Sequence, residues 1–458
     1  MLRDIHEELK EWKNDDVRKP LIIEGARQVG KTFSVVQFAK LEYKSYIHIN
    51  FERNKKAHII FERDLDPIRI IKELSALTGV KIEPHKTLIF FDEIQALQIA
   101  ITSLKYFFEE AKEFHVIAAG SLLGVNFGTT SNFPVGKVNF LKMFPMTFFE
   151  YLKANKEDVI LELISERRSF NPISEVLHDK LNYLLKEYLF VGGMPEAVFS
   201  FIANKDFKKV RKIQLDVLDA YKRDFTKYAS PSHATRIIEF WDSIPFQLAR
   251  ENKKFKYREI KSGSRRSQYD TTLVWLKSSG LVNVVYNVST AKLPLGGYND
   301  GSKYKVYLND SGLLGAMLQL SSAIIIEPDA IFKEYNGAFI ENYVAATLKS
   351  QGFTNLFYWT SRGEAEVDFL IQYDNKIHPI EVKSGTNRNI KSLRSYEQKF
   401  HPDYLIRTSP RNYVHSDEFY NVPLYSFSAI HNIMVEILSL SGDRLENAVY
   451  EATAQYGI

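Results

Sequence analysis

Gly25-Ala26-Arg27-Gln28-Val29-Gly30-Lys31-Thr32 follows the apolar run Leu21-Ile22-Ile23 and leads into Phe33-Ser34-Val35-Val36-Gln37-Phe38-Ala39-Lys40. The octet fits the pattern G-x-x-x-x-G-K-[S/T] in the order that pattern requires: strand, glycine loop, helix. Its two glycines let the backbone curl so that successive N–H groups point at phosphate oxygens, and the helix start adds partial positive charge. Lys31 is then expected to reach the β- and γ-phosphates and the Thr32 hydroxyl to hold Mg²⁺. The residues from Gly25 to Thr32 form the expected nucleotide site, and the alternative is a chance glycine turn before a helix.

Downstream, Lys86-Thr87-Leu88-Ile89-Phe90-Phe91-Asp92-Glu93 holds four apolar or aromatic residues in succession, the pattern of a strand buried on both faces of a parallel sheet. Its two carboxylates fall at the C-terminal end, the edge where open α/β sheets bind ligands. Asp92 is expected to hold Mg²⁺ and Glu93 to orient the water that attacks the γ-phosphate. The other reading is an acidic strand end that caps the next helix. Ser45-Tyr46-Ile47-His48-Ile49-Asn50-Phe51 reads as a second strand, and His115-Val116-Ile117-Ala118-Ala119 as a third, ending in Gly120-Ser121. That position makes Ser121 a candidate γ-phosphate sensor, although a glycine-serine turn is common. Residues 1–14 read as a short amphipathic helix, and Thr147 with Glu150 as a capping box.

At 458 residues the chain is too long for one core, and its 45% hydrophobic and 25% charged content is ordinary for globular domains. Sixty basic against 56 acidic residues leave a net charge of +4, too small to argue for nucleic acid by itself. The absence of cysteine excludes disulfides, thiolate zinc sites and cysteine nucleophiles. The charged amphipathic start is not a signal peptide, and no apolar run reaches about 18 residues, so a cytoplasmic protein without a membrane span is expected.

The phosphate loop, Asp92-Glu93, Gly120-Ser121 and the segment Phe144-Pro145-Met146-Thr147-Phe148-Phe149-Glu150 together resemble AAA-type P-loop ATPases of bacteria and archaea that carry an uncharacterised C-terminal domain. Phe190-Val191-Gly192-Gly193-Met194-Pro195-Glu196-Ala197-Val198 and Lys305-Val306-Tyr307-Leu308-Asn309-Asp310-Ser311-Gly312-Leu313-Leu314 also match that pattern. The resemblance implies ATP and Mg²⁺ as cofactors; no motif reads the purine. It departs at Lys137, where members usually have arginine, and lysine lacks the planar bidentate fork. Residues 155–250 read as long charged helices broken at Gly192-Gly193-Met194-Pro195, a region suited to a lid, with Arg211, Arg223 and Arg236 as arginines among which no finger can be chosen.

Residues 257–282 have the layout of helix, turn and glycine-terminated helix, and resemble a winged-helix module. There Arg265, Arg266, Ser267, Gln268 and Tyr269 would open the recognition helix, with Arg265, Arg266 and Gln268 as candidate DNA contacts; the other reading is a module that only packs against its neighbours. Farther on, Ala365-Glu366-Val367-Asp368 and Ile380-Glu381-Val382-Lys383 read as adjacent strands, an arrangement similar to the PD-(D/E)xK nuclease-like fold. The period of two puts Glu381 and Lys383 on one face, and Asp368, Glu381 and Glu341 could hold a second Mg²⁺ or Mn²⁺. Alternatively, Asp368 and Lys383 form a partly buried ion pair.

The fold expectation is α/β: a P-loop parallel sheet flanked by helices, then a helical region, a winged-helix-like module and a PD-(D/E)xK-like domain. The boundaries are 1–154, 155–247, 248–325 and 326–440, with a tail at 441–458. The expected function is ATP hydrolysis coupled to a DNA-facing C-terminal half with a candidate nuclease site, in a chain that can assemble as a homo-oligomer. The competing class is a nucleotide-dependent switch or scaffold that docks a protein partner.

Overall fold

The computed structural model describes residues 3–121, 133–167, 169–250, 253–322, 332–361, 365–385, 390–416 and 419–439. The tail expected at 441–458 lies outside them. The chain forms two compact units: residues to Met146 with Thr271–Leu281, and Thr147–Asp270 with the chain from Val282 onward.

In the first unit, β1 (Leu21–Glu24), β2 (Ser45–Asn50), β3 (Thr87–Asp92), β4 (His115–Ala119) and β5 (Asn139–Lys142) form one parallel sheet in the order β2-β3-β4-β1-β5. All six residues of β3 are buried, which its apolar run requires of a central strand covered on both faces. Helix Lys31–Glu42 buries Val35, Phe38 and Ala39. The core gathers Ile22, Ile49, Ile89, Phe91, Leu104 and Val116 around the sheet. The strand, stop and helix expected near residue 140 are present; the helix opens the second unit, and its Thr147–Glu150 capping box forms through Glu150 N donating to Thr147 Oγ1 and Thr147 N to Glu150 Oε2.

The second unit combines long helices, among them Glu175–Val191, Pro195–Asn204, Phe207–Tyr228 and Pro231–Leu248, with an eight-stranded mixed sheet. Its strands are β6 (Val282–Val288), β7 (Asn299–Leu308), β8 (Leu356–Thr360), β9 (Glu366–Tyr373), β10 (Lys376–Val382), β11 (Ile406–Ser409), β12 (Val414–His415) and β13 (Tyr420–Pro423), ordered β12-β13-β11-β10-β9-β8-β6-β7. The glycine motif at 190–198 and the Asn-Asp-Ser-Gly motif at 309–312 meet here. Asp310 Oδ2 accepts from Gly193 N at 2.6 Å, while Oδ1 accepts from Leu313 N and caps helix Ser311–Met317. A Cβ on Gly192, whose φ is 73°, would lie 2.3 Å from Asp310 Oδ1, so no other residue fits there. Burial raises the Asp310 carboxyl to about 6 against the backbone donors that favour its charge. These two motifs join helices to the start of another helix.

Arg211, one of the arginines in the region expected to form a lid, donates to the carbonyls of Gly312 and Leu320 and to Gln214 Oε1. Its guanidinium serves packing within this unit.

Candidate active site

The phosphate loop takes the curled form that its glycines allow. Gly25, Gln28 and Gly30 have φ of 145°, 66° and 98°, and a Cβ on Gly25 would lie 2.2 Å from Met143 O. Ala26 and Val29 are buried beneath the loop, Arg27 is half-buried, and Gln28 and Thr32 face solvent. Lys31 Nζ donates to the carbonyls of Gly25 and Ala26 at 2.8 Å each, which holds the ammonium inside the loop curve. Burial lowers Lys31 to about 8, with Glu93 and then Asp92 opposing the shift. Gly280, φ 72°, lies in the same unit, where a Cβ would come 3.3 Å from Ala26 N.

Parallel pairing of β1, β4 and β3 sets the loop beside the C-terminal end of β3. Thr32 Oγ1 donates to Asp92 Oδ2 at 3.1 Å and lies 3.3 Å from Oδ1. Two hard oxygen ligands side by side at a phosphate-binding loop fit Mg²⁺. Asp92 is 5% exposed, and its carboxylate is further held by His48 Nε2 at 3.0 Å, with Asn50 Nδ2 at 3.5 Å. Sequence reasoning missed both residues. The signal was their spacing of two on β2, which the register Asn50↔Asp92 turns toward the carboxylate.

Glu93 leaves the strand in left-handed backbone, φ 49°, and its Oε2 accepts from Gln95 Nε2 at 2.5 Å. Burial raises its carboxyl, opposed by the Gln95 bond and helped by the charge of Asp92. A carboxyl shifted upward is a better proton acceptor than a free one. Ser121 is buried just beyond the tip of β4, the neighbour of β3. Lys137, the departure from arginine, pairs with Glu109 at 3.0 Å.

In the second unit the expected recognition turn is built differently. Arg266–Gln268 form a 3₁₀ turn, and the helix begins only at Asp270. Gln268 Oε1 accepts from Arg265 N, Arg266 pairs with Asp270 at 3.1 Å, and Tyr269 is buried with its hydroxyl donating to Glu239. Arg265, Arg266, Ser267 and Gln268 are exposed, so they precede the helix and do not open it.

The four C-terminal candidates do come together. β9 and β10 pair antiparallel, Val382 N donates to Asp368 Oδ2 at 2.9 Å, and Lys383 Nζ donates to Glu381 Oε1 at 2.5 Å. Glu341 stands on helix Phe332–Ser350. The expected Asp368–Lys383 pair is replaced by one that sequence reasoning missed. Lys305 of β7, fully buried, lies 2.5 Å from Glu366 Oε1, 3.6 Å from Glu341 Oε2 and 3.8 Å from Asp368 Oδ1. These are ionic contacts without the directed geometry of a hydrogen bond. Glu341 also accepts from Lys253 and from Tyr307 Oη.

Burial opposes ionisation of Glu341, but Lys253 and Lys305 outweigh it and hold its carboxyl down at about 2. Burial, reinforced by Glu341 and Glu381, pushes Asp368 well up. Among the described residues no group of three or more His, Asp or Glu side chains is disposed to hold a metal ion. These side chains therefore do not fit the expected second Mg²⁺ or Mn²⁺: the ammonium of Lys305 stands among the carboxylates. A lysine inside the apolar run Tyr304-Lys305-Val306-Tyr307-Leu308 was the available signal, because a buried charge demands a counterion.

Residues 17–152 match the family model of an AAA domain; residues 182–323 and 336–427 match two domains of unknown function, DUF8612 and DUF4143. With the loop, the Asp92-Glu93 strand and the parallel sheet, residues 17–152 are a P-loop domain of the AAA ATPase type. No curated protein matches the chain. Similar solved structures include the Aeropyrum pernix Orc1 protein in complex with DNA (13% identity, TM-score 0.27, 70% of this chain and 93% of that one) and AMPPCP-bound DnaA from Aquifex aeolicus (15%, 0.28, 59% and 85%). Scores at this level carry no conclusion about either unit. No helix among the described residues is long and apolar enough to cross a membrane.

Proposed function

We propose that the chain binds ATP with Mg²⁺ and hydrolyses it between the loop Gly25–Thr32 and Asp92-Glu93, coupling the reaction to a C-terminal half that faces DNA. The observation that carries the hydrolytic reading is Thr32 Oγ1 set 3.1 Å from Asp92 Oδ2, with Glu93 the next residue along the strand edge.

In this reading Lys31 leaves the Gly25 and Ala26 carbonyls for the β- and γ-phosphate oxygens, and the loop N–H groups take the remaining ones. Thr32 and Asp92 would hold Mg²⁺, which when bound neutralises charge on the phosphates. Glu93 exchanges its bond from Gln95 for one from the attacking water and takes up its proton. His48 and Asn50 keep Asp92 oriented, and Ser121 senses the γ-phosphate. Residues 155–247 act as the lid, 248–325 as the winged-helix-like module and 326–440 as the nuclease-like domain. Exposed Arg265, Arg266 and Gln268 supply the DNA contacts, and a second copy of the chain supplies any arginine that the site needs in trans.

Glu93→Gln should lower ATP turnover by about 10²-fold or more while nucleotide still binds. Equal turnover in the two proteins sinks the assignment of Glu93.

A second reading, a nucleotide switch whose C-terminal fold docks a protein partner, is favoured by the lysine-filled carboxylate cluster. It is distinguished by DNA binding at low salt: the DNA-facing reading requires binding that weakens in Arg265→Ala and Arg266→Ala with a smaller salt slope. Metal-dependent cleavage at Asp368, Glu381 and Lys383 forms no part of either reading, since Lys305 already stands among those carboxylates.

A further inference from the structure

We propose that the Lys305 ammonium is a built-in substitute for a divalent cation in the carboxylate cluster of the second unit, and that it closes this nuclease-like site to metal. The inference concerns the C-terminal sheet alone and does not depend on hydrolysis at the phosphate loop.

Three observations carry it. The first is position: Lys305 lies within 3.8 Å of Glu341, Glu366 and Asp368, the side chains and neighbours from which a metal site was expected, and none of its surface reaches solvent. The second is how the carboxylate oxygens are used. Glu341 is taken at both oxygens, by Lys253 and by Tyr307; Asp368 Oδ2 receives Val382 N; Glu381 Oε1 receives Lys383. Asp368 Oδ1 faces Lys305 at 3.8 Å, and Glu381 Oε2 is buried without a hydrogen-bond donor.

The third observation is charge. Lys253, Lys305 and Lys383 stand against Glu341, Glu366, Asp368 and Glu381, so the cluster is one negative charge from balance when every group is ionised. Adding a divalent cation to that set would leave net positive charge in a buried site, which is costly. Removing the Lys305 charge while nearly keeping its volume takes the ammonium from among the carboxylates and leaves two units of negative charge, the condition hard cations favour.

The test is Mn²⁺ binding to the nucleotide-free full-length protein, read by calorimetry and by the loss of free Mn²⁺ signal in electron paramagnetic resonance. Wild type and Asp368→Asn should take up Mn²⁺ alike. Lys305→Met should gain one site that binds at least about tenfold more tightly than anything in wild type, and the double variant Lys305→Met/Asp368→Asn should lose it. A wild-type site that disappears in Asp368→Asn overturns the proposal, as does a folded Lys305→Met that gains nothing. If Lys305→Met does not fold, Lys305→Gln replaces it under the same criteria, and the comparison of wild type with Asp368→Asn still decides whether the native cluster takes metal.

Discussion

Lys31 shows how a single buried charge is tuned by what it waits for. Without phosphate it sits against two carbonyls, and burial holds it near 8. Below that pH the folded protein carries the cost of a desolvated ammonium; the cost disappears as pH rises through 8, because the folded state then releases a proton that the unfolded chain keeps. Bound phosphates reverse the shift, so above pH 8 binding must recharge the ammonium. Nucleotide affinity should therefore be flat between pH 6.5 and 7.5 and fall by up to about tenfold per pH unit above 8. Titration with a fluorescent nucleotide measures this, and an affinity independent of pH up to 9.5 would show that Lys31 does not contact phosphate. Glu93 and Asp92 divide their work by environment in the same way: Asp92 is tied down by Thr32 and His48, whereas the Glu93 carboxylate accepts from Gln95 and its backbone turns left-handed.

Among the elements, the junction of helix Glu175–Val191 with helix Ser311–Met317 depends on an exact fit of backbone to carboxylate. Gly192 combines a positive φ with a contact that leaves no space for a methyl group. Gly192→Ala should destabilise the second unit by at least about 2 kcal/mol, measured by urea unfolding; a cost under about 0.5 kcal/mol would mean that the junction yields easily. Gly280 is the comparable position in the first unit, beside the amide of Ala26. An alanine there needs a displacement of a few tenths of an ångström at the phosphate loop, so Gly280→Ala should weaken nucleotide binding severalfold with little change in the stability of the second unit. Equilibrium binding compared with wild type checks it; unaltered affinity would separate Gly280 from the loop.

For the whole molecule, two compact units predict two steps in unfolding. ATP with Mg²⁺ should raise the transition of the unit that carries Gly25–Thr32, by about 2.7 kcal/mol at a hundredfold excess over Kd, and Lys31→Ala should abolish the rise. Differential scanning calorimetry with and without nucleotide distinguishes this from a single cooperative transition.

Most of the first unit, and the Thr147–Glu150 box that opens the second, was legible from local pattern. A both-faces-buried strand, a glycine loop and a capping box each follow from residues adjacent in the chain, and β3, helix Lys31–Glu42 and the Thr147–Glu150 box stand where those patterns put them. The C-terminal quartet was legible as far as period two reaches, which brought Glu381 and Lys383 to one face. What sequence could not assign was any relation set by pairing across strands or by distant segments. His48 and Asn50 meet Asp92 through the register of β2 on β3, Asp310 meets Gly193 across 117 residues, and Lys305 reaches carboxylates on β9 and on helix Phe332–Ser350. The nucleotide loop was thus determined by its own eight residues, because phosphate binding uses local backbone. The character of the C-terminal cluster was decided by tertiary structure, because a buried charge is defined by the partner that folding brings to it.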